Sequence, residues 1–364
     1  MKKRAVGIFF LIIIFSLAAI LSADLTLQPL KEALYYQKLD NKDVQCLLCP
    51  RRCVIKNGQR GFCQVRENQE GVLFSLVYGR PCSLHIDPIE KKPLFHFLPG
   101  SRAFSIATAG CNLRCKFCQN WQISQVRPED IEYVSLSPED LVNEVQKSNC
   151  PVIAYTYSEP TIFYEYMLET ARLARQRGIK NVMHSSGFIN EEPLRQLCKY
   201  LDAANIDLKG FSEDFYSEYT LGKLEDVLRS LKIIHQEGVH LEITNLILPG
   251  INDSPELIRK MCIWIKDNLG KDIPLHFSRF FPMHKMKYLS PTPVTTLEKA
   301  RQIALSVGLE YVYIGNVPGN PAENTYCPFC KKAVIKRQGY FILENHIKDG
   351  KCEFCGNEIK GVWQ

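Results

Sequence analysis

Short apolar runs recur through the middle of the chain and alternate with helical segments. The runs have the composition of β-strands. Seven of them are predicted to be strands: residues 103–108, 151–156, 180–185, 202–208, 239–248, 273–280 and 310–315. Strands that alternate with helices imply parallel β/α units.

The starts of the helices are signalled independently. The stretch "SPED" begins a helix at Ser137 with Pro138 in the first helical position, and "DSPE", residues 253–256, begins another. Each has an acidic first turn, so the connections are crossovers rather than hairpins. The pattern predicts an α/β fold with a complete or partial (β/α) TIM-type barrel. In such barrels the loops that leave the carboxyl ends of the strands carry the site.

The first residues have the pattern of a targeting segment. Three basic residues at positions 2–4 precede an uncharged apolar run from Ala5 to Leu21. This predicts a signal peptide or membrane anchor over residues 1–23, so that the protein would be membrane-anchored or exported. The basic start would place the body outside the cytoplasm, whereas thiolate chemistry favours the inside, and the side of the membrane therefore stays open.

Length and composition place the chain among globular proteins. It has 364 residues, 46% of them hydrophobic, which allows one core domain of about 200 to 250 residues with smaller appendages. The formal net charge is +6, and three of these charges lie in the N-terminal segment, which leaves +3 for the body. That field is too weak to indicate nucleic-acid binding.

The fifteen cysteines carry the strongest chemical signal, because eleven of them fall into three sets with the spacing of metal ligands. The other four are interpreted as buried small apolar side chains: Cys82, Cys150, Cys198 and Cys262.

The last set has the spacing of a zinc ribbon. Its two Cys-x2-Cys pairs complete a tetrahedral thiolate site, and two disulfides are the competing interpretation. The four residues are Cys327, Cys330, Cys352 and Cys355. The first set is open between zinc and an auxiliary cluster, since both accept four thiolates. It consists of Cys46, Cys49, Cys53 and Cys63.

The middle set, Cys111, Cys115 and Cys118, follows directly after the first predicted strand of the core. Three thiolates are one too few to close a tetrahedral site. Three interpretations compete: a zinc site that lacks a ligand, a redox pair with a bystander, and an iron-sulfur cubane with one iron open to a small molecule.

These features divide the chain into four parts. They are a signal or anchor at residues 1–23, a Cys-rich N-terminal region at 24–100, a core at 101–320 and a zinc-ribbon-like module at 321–364.

Several stretches resemble a known family. Cys-x3-Cys-x2-Cys with an aromatic residue before the last cysteine, here Phe117, is the signature of the radical S-adenosylmethionine (SAM) enzymes. The chain resembles the pyruvate formate-lyase activating enzymes and, more closely, the radical SAM proteins of the AmmeMemoRadiSam system. The resemblance runs from about residue 46 to the C-terminus through "CLLCPRRC", "IDPIEKKPLFHFLPGS", "GCNLRCKFCQNW", "YSEPTIFYEY", "NIDLKGF" and "LILPGIND".

The resemblance implies a barrel of the radical SAM type with a [4Fe-4S] cluster on Cys111, Cys115 and Cys118. SAM would bind the open iron through its amino and carboxylate groups, and no catalytic residue is assigned beyond the cluster. The further cofactor-binding candidates are Phe117, Ser158, Glu159, Ser185, Ser186, Asp207, Lys209 and His276.

Individual roles follow where a motif survives. Ser158 and Glu159 match a turn that binds the SAM ammonium, and Lys209 resembles a residue that contacts the methionine carboxylate. Ser185 and Ser186 stand in "HSSG", where activating enzymes often have an Asp-Thr-Asn-Gly stretch, so a carboxylate is absent there.

The resemblance implies a radical SAM enzyme that generates a 5′-deoxyadenosyl radical and abstracts hydrogen from an unknown small-molecule or protein substrate. A reductant such as flavodoxin or ferredoxin would supply the electron. One alternative is an activase of glycyl-radical enzymes. An alternative from another class is a non-catalytic scaffold in which all three cysteine sets bind zinc.

Overall fold

The structure is a computed structural model that describes residues 30–364. The chain divides into two units, residues 1–30 and residues 31–364, and the second unit contains every element below. Within the described part of the chain, no helix is both long and apolar enough to cross a membrane. The predicted signal or anchor at residues 1–23 lies outside the described residues. The prediction of membrane anchoring or export therefore has no support in the structure. We withdraw it.

The N-terminal region forms two small antiparallel sheets. The first has the strand order β1-β6-β5 and the second the order β2-β3-β4. The six strands are β1 (Lys31–Glu32), β2 (Tyr36–Lys38), β3 (Val44–Cys46), β4 (Val54–Ile55), β5 (Arg66–Gln69) and β6 (Val72–Ser75).

A central sheet of eight strands organises the rest of the chain. Its strands lie in sequence order, and β8 to β14 run parallel to their neighbours, whereas β7 pairs antiparallel with β8. They are β7 (Ser83–Pro88), β8 (Arg102–Ala107), β9 (Val152–Tyr155), β10 (Lys180–Ser185), β11 (Ala203–Asp207), β12 (His240–Ile247), β13 (Leu275–Arg279) and β14 (Val312–Gly315). The seven strands predicted from the apolar runs are confirmed.

Helices connect the parallel strands as crossovers. They are α1 (Trp121–Ser124), α2 (Pro138–Lys147), α3 (Tyr164–Gln176), α4 (Glu191–Cys198), α5 (Glu213–Phe215), α6 (Leu224–Gln236), α7 (Pro255–Leu269) and α8 (Val294–Val307). The predicted start of α2 is confirmed, because the Ser137 hydroxyl accepts a hydrogen bond from the Asp140 backbone N–H at 3.1 Å. The prediction of an α/β fold with a mostly parallel sheet is therefore confirmed.

The core lies on both faces of this sheet. All four residues of β9 are buried, as are the residues of α2 and α3 that face it. Parallel strands covered on both faces need nearly continuous apolar sequence, and this explains why the apolar runs were visible in the chain.

The C-terminal residues return to the start of the sheet. Strands β15 (Thr325–Tyr326), β16 (Ala333–Gln338) and β17 (Phe341–Asn345) form one sheet, and β18 (Ile347–Lys348) and β19 (Lys351–Cys352) form another. The last residues then pair with the segment before β8. The Leu98 N–H donates to the Val362 carbonyl at 2.7 Å, and the Val362 N–H donates to the His96 carbonyl at 2.7 Å.

His96 is the polar centre of this junction. Its fully buried ring lies 2.6 Å from the Lys360 carbonyl through Nδ1 and 2.5 Å from the Tyr313 hydroxyl through Nε2. Burial lowers the pKa of His96 to about 4. The neutral ring, with Nδ1–H donating to the carbonyl, is therefore the form that the fold stabilises.

We expect His96 to make the protein sensitive to mild acid. An unfolded histidine titrates near pH 6.5, so the stabilisation is complete above that pH and is lost as the pH falls towards 4. Between pH 7 and pH 5 the wild-type chain should lose about 2 kcal/mol more unfolding free energy than His96→Gln. Denaturant unfolding of both proteins at the two pH values measures the difference. Equal losses would contradict the assignment.

Candidate active site

The loop of Cys111, Cys115 and Cys118 leaves the carboxyl end of β8 and is fixed by backbone hydrogen bonds. The Arg114 N–H donates to the Thr220 carbonyl and the Lys116 N–H donates to the Tyr219 carbonyl, each at 2.9 Å. The loop is thus held by the segment that follows β11, three strands away in the sheet from β8.

Gly110, just before the first cysteine, brings the loop against the N-terminal region. Its φ angle is +97°, and a Cβ atom built on it would lie 2.6 Å from Val65 Cγ1 and 2.9 Å from the Cys63 carbonyl oxygen. Only glycine accommodates both the backbone angle and this close approach. The cysteine loop and the Cys63 segment are therefore in direct contact.

Two thiols of the loop, those of Cys111 and Cys115, lie in a low-dielectric environment. Burial raises the pKa of Cys115 to about 12 and that of Cys111 well above its usual range, although the Lys209 charge acts in the opposite direction on Cys115. A buried thiolate needs a cation to compensate it. The loop has the electrostatics of a metal-ligand site rather than of a free reactive thiol.

Glu159 lies beside this loop and is the most fully satisfied carboxylate of the site. One oxygen accepts from the Ser185 hydroxyl at 2.6 Å and from the Thr161 hydroxyl at 2.8 Å and backbone N–H at 3.1 Å. The other accepts from the Ser186 hydroxyl at 2.6 Å and N–H at 2.9 Å. Since a carboxylate offers about four lone-pair sites, these five donors saturate it.

Thr161 is a site residue that the sequence analysis missed. It follows "SEP" in the turn that begins at Pro160, and the side chain of Glu159 caps that turn. A threonine two positions after a capping carboxylate is a recognisable local signal, because its hydroxyl and N–H both reach back to the cap.

Asp207 and Lys209, at the end of β11, form an ion pair of 2.7 Å, and His184 contacts Asp207 at 3.1 Å. Burial opposes the ionisation of Asp207, but Lys209 and His184 outweigh it and hold the pKa of this carboxyl well below its usual range. Burial likewise opposes the charge of Lys209, and Asp207 raises its pKa above the usual value. Both groups are therefore charged at neutral pH.

Two further predicted residues, Ser158 and Phe117, are both buried. Ser158 is buried, and its hydroxyl has no hydrogen-bond partner within residues 30–364. Phe117 is buried and packs with its ring centre 6.1 Å from that of Phe215, so it supports the loop from behind.

His276, another predicted cofactor-binding residue, lies apart from the other residues of the site. It is the second residue of β13, and its Nε2 lies 2.7 Å from the buried carboxylate of Glu242. Its ring stacks on Tyr313 at 4.9 Å. The same carboxylate accepts from the His96 N–H, so His276 belongs to the junction with the C-terminal residues. The carboxyl end of β13 is Arg279, three positions after His276.

The two outer cysteine sets differ in geometry. In the C-terminal set all four sulfurs lie within 4.8 Å of one another, with Cys327 to Cys355 at 3.6 Å and Cys330 to Cys352 at 3.8 Å. All four cysteines are free, so this group can bind a metal ion. The N-terminal set, Cys46, Cys49, Cys53 and Cys63, lines a cavity of about 20 Å³.

Comparison with known proteins identifies the family. A model of the Radical SAM superfamily matches residues 105–262, which include the cysteine loop, Glu159 and the Asp207–Lys209 pair. The chain belongs to the radical SAM superfamily. An uncharacterized protein of Methanocaldococcus jannaschii is 48% identical over 332 residues, which cover 91% of this chain and 99% of that protein.

More distant relatives of this radical SAM protein include enzymes with assigned names. The pyruvate formate-lyase-activating enzyme of Clostridium pasteurianum is 24% identical over 178 residues, which cover 46% of this chain and 71% of that enzyme. Among solved structures, that of Streptococcus suis SuiB bound to S-adenosylmethionine is similar in fold, with a TM-score of 0.49 and 13% identity, and the match covers 66% of this chain and 56% of the SuiB chain.

Membership in the superfamily identifies the protein as an enzyme of radical chemistry. The prediction of an enzyme and the resemblance to activating enzymes are therefore confirmed. The alternative of a non-catalytic zinc scaffold does not describe the chain.

Breaking the Asp207–Lys209 pair should destabilise the radical SAM protein. Lys209→Met leaves Asp207 charged in a site where the two side chains are only 26% and 14% exposed, and we expect a loss of about 1–3 kcal/mol. Lys116→Met is the matched control, because its pair with Glu218 is exposed and should contribute less than about 1 kcal/mol. Urea unfolding of both variants makes the comparison, and equal losses would count against a structural role for the pair.

Proposed function

We propose that the protein cleaves SAM reductively at a [4Fe-4S] cluster bound by Cys111, Cys115 and Cys118. When bound, this cluster with SAM supplies a 5′-deoxyadenosyl radical that abstracts hydrogen from a substrate. The observation that carries the proposal is the placement of the three cysteines on one loop at the edge of the sheet where Glu159 and Lys209 also lie.

The donor set of the loop fits the cluster. In a cubane each cysteine binds a different iron, so its sulfurs lie farther apart than the sulfurs around one metal ion. In the described part of the chain, only the C-terminal set brings three or more ligand atoms within 4.8 Å of one another. The wider spread of the loop sulfurs and their burial favour a cubane over a zinc site.

The polar groups around the loop fit SAM by charge. Ser158 has an unpartnered buried hydroxyl, and Ser186 keeps lone pairs after its own hydroxyl donates to Glu159. We infer that these two oxygens accept hydrogen bonds from the SAM ammonium. Because five donors already saturate Glu159, it acts from behind them as the fixed negative charge. On the opposite side, Lys209 is the cation suited to the carboxylate of SAM.

The proposal extends to the architecture. The central sheet would curve as a partial (β/α) barrel of the radical SAM type, with the core at residues 101–320, the Cys-rich region at 24–100 and the ribbon-like module at 321–364. The support is the unbroken order of the parallel strands from β8 to β14 and the position of the site at their carboxyl ends.

The proposed reaction predicts release of 5′-deoxyadenosine. Anaerobically reconstituted protein with dithionite and SAM should form it, and Cys115→Ala should lower the yield at least about 100-fold, because the cluster loses one of three ligands. Cys82→Ala is the matched control and should keep the wild-type yield, since Cys82 lies outside the three sets. The yield is measured by liquid chromatography. No product from fully loaded wild-type protein would overturn the proposal.

A second candidate is activation of a glycyl-radical enzyme, in which the substrate is a backbone glycine of a partner protein. Relatives named as pyruvate formate-lyase-activating enzymes and as a 4-hydroxyphenylacetate decarboxylase activating enzyme favour it. Incubation with such partners, read by electron paramagnetic resonance, separates it from action on a small molecule. A glycyl radical signal that requires both SAM and the partner would support the activase.

We also propose that the C-terminal set binds a structural zinc ion. A tetrahedral site with Zn–S bonds of about 2.3 Å places its sulfurs about 3.8 Å apart, which agrees with the observed separations of 3.6 and 3.8 Å.

The purified protein should therefore contain about one zinc ion per chain that Cys330→Ser removes. The cluster of the loop should remain, because the two sites share no ligand. Zinc and iron are measured together by mass spectrometry of the intact, anaerobically purified chain, with Cys150→Ser as the matched control. An unchanged zinc content in Cys330→Ser would refute the assignment.

A further inference from the structure

The four N-terminal cysteines line a cavity. Cys46, Cys49, Cys53 and Cys63 come from β3, from the loop between β3 and β4, and from the loop before β5. All four line the same small cavity. Thr161 and Asn112 also line the cavity, and because Asn112 follows Cys111 in the chain, the cavity lies next to the loop that carries Cys111.

The spread of these sulfurs distinguishes two kinds of metal site. A single zinc ion would gather four sulfurs to about 3.8 Å from one another. The same structure shows that close arrangement for the C-terminal set, but within residues 30–364 it shows no second group of three or more ligand atoms within 4.8 Å. In the N-terminal set, as in the set of Cys111, Cys115 and Cys118, no three sulfurs therefore lie within 4.8 Å of one another.

A buried cation faces the cavity. Arg66 lines the cavity and is 1% exposed, and one of its terminal nitrogens lies 3.5 Å from Cys46 Sγ. Its Nε has no hydrogen-bond partner within the described residues. Glu165 neutralises part of its charge from the far side, through a salt bridge between two buried side chains.

A second arginine also lies at the cavity wall. Arg51 also lines the cavity, and its guanidinium group donates to the backbone carbonyls of Asn112 and Leu221. Four thiolates with a metal centre carry a net negative charge, and two arginines at the wall compensate it in the low-dielectric interior. The two arginines indicate that the four thiolates bind a metal centre. The spacing of the sulfurs indicates which kind of metal centre it is.

We propose that Cys46, Cys49, Cys53 and Cys63 bind a second iron-sulfur cluster rather than a zinc ion. Four protein thiolates leave no open coordination position on this cluster, so it does not bind SAM. The inference does not depend on the function proposed for the loop of Cys111, because the two sets share no residue.

The test uses the full chain with the loop cysteines removed. Cys111→Ala, Cys115→Ala and Cys118→Ala are combined, and the protein is produced anaerobically in medium that contains both iron and zinc. The variant should retain about two to four iron atoms and as many sulfide ions per chain, according to the type of cluster. Mössbauer spectra should show thiolate-bound iron, and SAM should leave the paramagnetic resonance signal of the reduced protein unchanged.

Further substitutions connect the iron to the four residues. Adding Cys49→Ser and Cys53→Ser should remove the iron and leave the zinc of the C-terminal set, whereas adding Cys82→Ser and Cys150→Ser, the matched control, should change neither metal. A triple variant that contains no iron and two zinc ions would overturn the proposal, and so would one that contains no metal beyond a single zinc ion.

The wild-type chain gives an independent result if the variants do not fold. With the loop cluster loaded, more than about four iron atoms per chain supports the second cluster. Four iron atoms together with two zinc ions contradict it.

Discussion

The parallel register of the central strands is the constraint on which the site depends. Because β8 to β11 run in one direction and lie side by side, the residues that follow each of them reach the same edge of the sheet. Cys111, Glu159, Ser186 and Lys209 are distant in the chain, and this register brings them together. A strand inserted or reversed among these four would separate the cysteines from the groups that surround them.

Hydrogen bonds and ion pairs within the protein hold the charged groups of the site in place. Glu159 is held by donors from two successive loops, and Asp207 holds Lys209 at the end of the next strand. Because these groups are ordered by the protein itself, a ligand that arrives does not need to reorganise them. Preorganised charge of this kind has a larger effect in a water-poor site than the same groups would have in water. In the N-terminal region, the buried salt bridge between Arg66 and Glu165 likewise holds a charged side chain in place.

Much of the fold was predictable, because buried parallel strands leave a continuous apolar signal in the sequence. The antiparallel strand β7 was not predicted, since "SLHIDP" lies at the edge of the sheet and is half exposed. The loop cysteines and the groups after β9, β10 and β11 were predicted from motifs that are local in sequence. His276 lies apart from the site because it is the second residue of β13, three positions before the carboxyl end at Arg279. The partners of His276, namely Glu242 and Tyr313, come from other strands and leave no local signal.

The return of the C-terminal residues to His96 has a consequence for the synthesis of the protein. His96 and Lys360 are 264 residues apart in the chain, yet the buried ring of His96 hydrogen-bonds to the Lys360 carbonyl. At a translation rate of about 5–20 residues per second, roughly 10 to 50 seconds pass between the synthesis of the two. During that time the cysteines of the first two sets already exist on a nascent chain whose sheet lacks its final contacts. Metal delivered before translation ends would reach a chain that lacks the contacts of its C-terminal residues with His96. Metal delivered afterwards would reach a chain in which these contacts have formed.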